Sequence, residues 1–154
     1  MKVRTIALTL AVCLAGVALC YASDPNMGTW NLNEAKSKFP PGATKSTTVV
    51  YSAGGDMVKV TTDGTAGGGK PAHTEWTGKF DSKEYPVTGG PAGGTRSYTK
   101  VDAHTTTVTN KTDGKVTVSG RIVVAPDGKS RTVTLNWTSD DGKSMTSTGV
   151  YDKQ

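Results

Sequence analysis

Arg131 is the side chain in this sequence best suited by type and position to recognise a ligand. It shares the alternation of Val133, Leu135 and Trp137, so on a strand all four point the same way. A guanidinium turned into an apolar interior near a barrel rim could hold a carboxylate or phosphate by a two-pronged hydrogen bond. The same arginine follows closely on Asp127-Gly128, and its place beside that turn favours a second reading in which it simply reaches solvent. His73 and Glu75 lie two apart and share a strand face, a spacing suited to two metal ligands, yet a site needs a third and usually a fourth. The remaining histidine, His104, falls at the end of a predicted turn, and the alternation sets His73 and Glu75 opposite Trp76, on the solvent side. No metal is expected. Covalent chemistry fares no better. There is no Gly-x-Ser-x-Gly elbow, and two histidines offer little choice of base. Asp140 and Asp141 are adjacent, which on a strand sends them to opposite faces. An enzyme is not expected, and no cofactor is implied.

The elements that must position these residues are strands. Thr, Val and Gly dominate beyond the N-terminal segment, where only Leu32 and Leu135 supply leucine. Thr and Val are stiff at χ1 and favour pleated surfaces. Asp113-Gly114-Lys115, Asp127-Gly128-Lys129 and Asp141-Gly142-Lys143 recur every 14 residues. Asp-Gly is a hairpin signal because both residues tolerate positive φ, so each interval holds one strand and one turn. Other turns are predicted at 53–56, 63–64, 81–83 and 101–103. The glycine-rich stretches Gly67 to Gly69 and Gly89 to Gly94 read as loop tips, since neither leads into a helical pattern with the lysine and hydroxyl of a phosphate-binding loop. About ten strands result, near 27–33, 46–52, 57–63, 72–80, 83–88, 95–101, 104–112, 115–124, 129–138 and 143–151. Several alternate. Trp76 and Phe80 share one face, and Val116, Val118, Ile122 and Val124 another, with Gly120 among them. A meander of antiparallel strands with one apolar face must close on itself or stack as two sheets. An all-β up-and-down barrel of about eight to ten strands is the expected fold, with a β-sandwich as the alternative.

The N-terminus adds a location. Lys2 and Arg4 precede an uncharged apolar run from Thr5 to Leu19, too short to span a bilayer comfortably, and Cys20-Tyr21-Ala22 suits signal cleavage after Ala22. Bulky Val12 and Leu19 before the two cysteines argue against lipidation. Residues 1–22 are therefore expected to be a signal peptide and 23–154 a single barrel domain, periplasmic or secreted, with no transmembrane segment after cleavage. Both cysteines, Cys13 and Cys20, leave with the signal, so the folded domain holds together without disulfides. Two of the 18 basic residues leave as well, against 13 acidic ones that stay, and the resulting +3 is scattered. A scattered charge excludes a nucleic-acid-binding face.

The first strand reads Gly28-Thr29-Trp30-Asn31-Leu32 and the last runs from Ser147 through Tyr151 to Lys153. Together they resemble the calycins, the superfamily of lipocalins and fatty-acid-binding proteins, whose Gly-x-Trp indole plugs one end of the barrel. The chain is also similar to a group of small exported bacterial lipocalin-like proteins with a Gly-Thr-Trp start and a Phe-Asp-x-Lys-x-Tyr-Pro-Val segment, here Phe80 to Val87. The resemblance implies a barrel closed by Trp30, with Tyr151 at the tyrosine of the Arg-x-Tyr pair that binds a carboxylate in the fatty-acid-binding branch. Two departures weaken the fatty-acid implication. Gly149 stands at the arginine position, and Pro40-Pro41-Gly42 interrupts the stretch where that branch inserts two lid helices.

The resulting expectation is a monomeric, exported, non-catalytic barrel for a small apolar or amphiphilic ligand. Arg131 and Tyr151 are its candidate polar contacts, Trp76 and Trp137 its candidate apolar ones. Trp30, Trp76 and Trp137 serve equally as core, because so few leucines leave the rings to supply buried area. The alternative is a barrel filled by its own side chains that acts as a structural or protein-interaction module.

Overall fold

The β-branched composition and the Asp-Gly punctuation produce ten antiparallel strands in the computed structural model, which describes residues 24–154. The expected signal peptide, residues 1–22, lies outside the described residues. The strands are β1 (Gly28–Leu32), β2 (Lys45–Gly54), β3 (Met57–Thr65), β4 (Pro71–Gly78), β5 (Tyr85–Thr88), β6 (Gly94–Lys100), β7 (Thr105–Thr112), β8 (Lys115–Val124), β9 (Ser130–Thr138) and β10 (Ser144–Lys153). Each pairs with its sequence neighbour, and β1 pairs with β10, so the sheet closes into a barrel. No sandwich forms. Among the described residues, no helix is long and apolar enough to cross a membrane.

Turn chemistry sets the registers. Asp113 and Gly114 both take positive φ, +50° and +76°, the requirement of a two-residue primed hairpin between β7 and β8. At Asp127-Gly128 and Asp141-Gly142 only the glycine does so. Those two turns are longer, with the Gly128 N–H donating to Ala125 O and the Gly142 N–H to Ser139 O.

An up-and-down meander sends alternate connections to opposite ends. One end carries the loops after β2, β4, β6 and β8 and the entry into β1. It is sealed. The indole of Trp30 is fully buried and donates to Asn26 O at 2.7 Å, and the Asn26 amide reaches Thr106 Oγ1 at 3.3 Å. Asp24, also buried, pairs with Lys100 at 2.7 Å. The other end carries the loops after β1, β3, β5, β7 and β9 and is open.

Closure is uneven. β1 spans only five residues, pairing with β10 over Trp30–Leu32 and with β2 over Gly28–Asn31. Above it, residues 33–44 fill the gap in the wall. A short 3-10 turn at Glu34–Lys36 leads to Lys38, which exchanges two backbone hydrogen bonds with Thr148 of β10. On the β2 side the Tyr151 hydroxyl donates to Ser46 O at 3.0 Å.

One expected alternation fails. Val116 is 59% exposed, although Ile122 and Val124 are buried. The β7–β8 register shifts so that Asn110 faces Val118 while Lys111 faces Val116. Thr117 is the extra residue, and such a bulge changes the face of everything before it.

Gly64 marks a second constraint. A Cβ there would lie 1.9 Å from Lys45 O, beside the shift in register between β2 and β3. Neither backbone can yield without loss of pairing. Gly64→Ala should cost about 3 kcal/mol by overpacking, while Gly54→Ala, whose Cβ would meet nothing nearer than 3.8 Å, should change stability by less than about 0.5 kcal/mol. Urea unfolding of the two variants measures the contrast.

Candidate functional site

The inward faces divide the interior into a packed half and a hollow half. Toward the sealed end, Trp76, Phe80, Tyr98 and Tyr51 fill the barrel as one aromatic group. Trp76 meets Tyr98 edge-on at 4.8 Å between centroids and stacks near-parallel to Phe80 at 6.2 Å. Tyr51 contacts both Phe80 and Tyr98 at 6.4 Å. Burial pushes the Tyr98 phenol well above its ordinary range, with Tyr51 adding to the shift.

Toward the open end the inward residues are small. Thr62, Gly64, Ala72, Thr74 and Val118 leave a cavity of about 300 Å³ that opens between the loops. A smaller cavity of about 90 Å³ lies below it, lined by Tyr98, Val108, Ile122, Arg131 and Tyr151 among others. Ser46, Thr62, Arg96, Asn110 and Leu135 line both, so the two adjoin. Their combined size lies at the lower end of small-molecule pockets.

Arg131 lies deep in this space, near the sealed end and far from the rim. It is 2% exposed, and the reading in which it reaches solvent is overturned. Its position at the start of β9, opposite Tyr151 and Val124, turns it into the barrel instead of outward. The guanidinium carbon lies 4.7 Å from the Trp30 ring centroid, 4.9 Å from that of Tyr51 and 5.1 Å from that of Tyr151. Nε and Nη1 are buried without a hydrogen-bond partner.

The structure separates the other predicted residues. Tyr151 lines the small cavity and is buried, but its hydroxyl is committed to Ser46 O. Desolvation raises its phenol pKa, while the nearby Arg131 charge opposes the shift. Trp76 is buried in the packed half, where its indole N–H donates to Arg96 O at 2.9 Å. It lines neither cavity. Trp137 is half-buried at the open end and borders an outer groove with Lys115 and Thr117, again outside both cavities. Arg131 and Tyr151 are thus brought together, and the two tryptophans are not. His73 and Glu75 sit on the outer wall, where His73 Nδ1 meets Asp63 at 2.6 Å and Lys59 meets Glu75 at 2.9 Å.

Sequence reasoning missed Arg96 and Asn110. The Arg96 Nε donates to Asn110 Oδ1 at 2.8 Å across the β6–β7 pair. The signal was available in the alternation of Arg96 with Tyr98, and of Asn110 with Val108, each an inward position. It is hidden by composition, because polar residues on Thr-rich strands look like an outer face.

No family model and no curated protein matches the chain. Among solved structures it is similar to a redesigned β-barrel, mFAP1, bound to DFHBI, with 16% sequence identity and a TM-score of 0.37 over 86% of this chain and 98% of that one.

Two outcomes follow from these contacts. Tyr151→Phe leaves the part-buried Ser46 carbonyl without its donor and should cost about 1–2 kcal/mol in urea unfolding. The His73 imidazole, bonded to the Asp63 carboxylate, is held above its ordinary pKa of 6.5. A raised folded-state pKa means the contribution is complete below the unfolded pKa and fades as pH rises through the folded one. NMR titration should place the His73 midpoint above 6.5, and Asp63→Asn should lower it.

Proposed function

We propose that this protein is an exported, non-catalytic carrier that takes one small amphiphilic molecule into its barrel through the open end. The observation that carries the reading is the cavity of about 300 Å³ at that end, which adjoins the smaller space below. Thr methyls, Ala72, Val87, Val118 and Leu135 present apolar surface there, interrupted by Asn110, Arg96 and hydroxyls. Such a lining suits a ligand with an apolar body and a polar group. Gly64 of β3, Gly90 of the loop after β5 and Gly94 at the start of β6 border the opening, and the small residues keep it wide.

Export rests on the basic start, the apolar run and the Ala22 junction. A place among the calycin-like barrels rests on Gly28-x-Trp30 at the sealed end, the ten-strand meander and the closing pair of β1 with β10. The filled-barrel alternative is favoured by the aromatic group in the lower half. The upper half, lined by small side chains, favours binding.

Native mass spectrometry of the purified protein before and after solvent extraction tests the reading, together with titration by the neutral dye Nile red. A discrete extra mass removed by extraction, or saturable dye fluorescence at about one equivalent, is the expected result. Val118→Trp fills the upper cavity from its wall and should abolish dye uptake while the protein stays folded. A bare polypeptide mass combined with no dye uptake by the unmodified protein would return the barrel to a filled, structural role.

A further inference from the structure

Among the described residues, four cations line the interior and its opening, and no acid does. Arg131 lines the small cavity, Arg96 lines both, and Lys45 and Lys111 line the larger one, whereas neither lining contains Asp or Glu. Lys111 is paired with Glu84, and Lys45 leans over the Phe39 ring at 5.7 Å. Among the described residues, the two arginines have no carboxylate partner. Arg96 reaches only neutral oxygens, Asn110 Oδ1 at 2.8 Å and the Tyr98 hydroxyl at 3.5 Å. Arg131 reaches none through Nε or Nη1.

A guanidinium that is 2% exposed and lacks a counter-ion is costly in a low-dielectric interior. The three rings around Arg131 offset part of that cost through their faces. They offer nothing to its N–H groups, which lie in the guanidinium plane and need oxygen acceptors. The nearest hydroxyl that sequence reasoning assigned to a ligand, that of Tyr151, is spent on Ser46 O. A buried, unpartnered, planar fork of donors in a carboxylate-free space is complementary to an oxyanion.

Resting on the interior-binding reading, we propose that the ligand is an organic anion, an apolar body ending in one carboxylate, sulfate or phosphate group, bound anion-down at the sealed end by Arg131 with Arg96 beside it. Size sets the orientation. The lower space of about 90 Å³ suits an oxyanion group and little more, while the upper one of about 300 Å³ suits the body. The uncompensated positive charge draws anions in and rejects cations. The site is built from β9 and β6, so Gly149 of β10 is free to serve packing. A Cβ there would lie 2.8 Å from the Tyr151 ring and 3.4 Å from that of Phe39.

Decanoate and 1-decanol share a tail and differ in the group under test. Isothermal titration calorimetry of the solvent-extracted protein with each should show decanoate binding at least about tenfold tighter. Arg131→Gln should remove that preference and leave decanol affinity within about twofold. Thermal unfolding supplies a second readout. Arg131→Met, free of an uncompensated charge, should melt no lower than the unmodified ligand-free protein, whereas an arginine serving only packing would lower the melting temperature on removal. Equal affinities for decanoate and decanol in the unmodified protein overturn the anion site and leave interior binding standing. Binding of neither overturns interior binding itself. Because the decanoate–decanol comparison uses the unmodified chain, failure of a variant to fold does not shield the proposal.

Discussion

Closure of the sheet between β10 and β2 is the constraint on which the rest of this molecule depends. Ten strands with one apolar face leave no edge only if the first strand can join the last, and β1 does this with five residues between two strands of ten. The lower half of the seam is a true ladder, with Trp30 paired to Lys153 on one side and to Val49 on the other. The upper half is closed by the 33–44 segment, tied to β10 through Lys38 and Thr148, and by the single hydroxyl bridge from Tyr151 to Ser46 O. Gly149 belongs to this arrangement, because the Phe39 and Tyr151 rings occupy the space its side chain would take.

The same seam explains why the barrel is full at one end and hollow at the other. Near the complete ladder the inward positions are held by Trp30, Trp76, Tyr51, Tyr98 and Phe80, whose rings in edge and stacked contact fill that volume. Near the open end the inward positions are Thr62, Gly64, Ala72 and Thr74, whose combined bulk cannot meet across the barrel axis. Arg131 sits where the two regimes meet. Its guanidinium lies against the Trp30, Tyr51 and Tyr151 rings and lines the smaller cavity.

Electrostatics outside the barrel obeys different rules from those inside. Lys59, Glu75, His73 and Asp63 form an exposed chain on the β3–β4 wall, where water screens each pair and none contributes much. Inside, neither Arg96 nor Arg131 has a carboxylate partner among the described residues, so the same kind of charge there is a demand for a partner.

The sequence by itself determined the strand count, the meander and most of the faces. Asp113-Gly114 forces a hairpin by its positive φ, and an alternation such as Val133, Leu135 and Trp137 has period two whatever lies opposite it. Those are local properties, carried by the residues concerned. What only tertiary structure decided was distance from the barrel axis and from its ends. Val116 left its expected face because β7, a different strand, shifts register against it. Trp76 and Trp137 share the inward parity of Arg131, yet one lies in the packed half and the other at the rim. The favoured reading of Arg131 as solvent-facing rests on its place beside the Asp127-Gly128 turn, whereas its neighbours in space are three rings from β1, β2 and β10. Depth in a closed barrel depends on side chains from every strand at the same level, and no stretch of one strand contains that information.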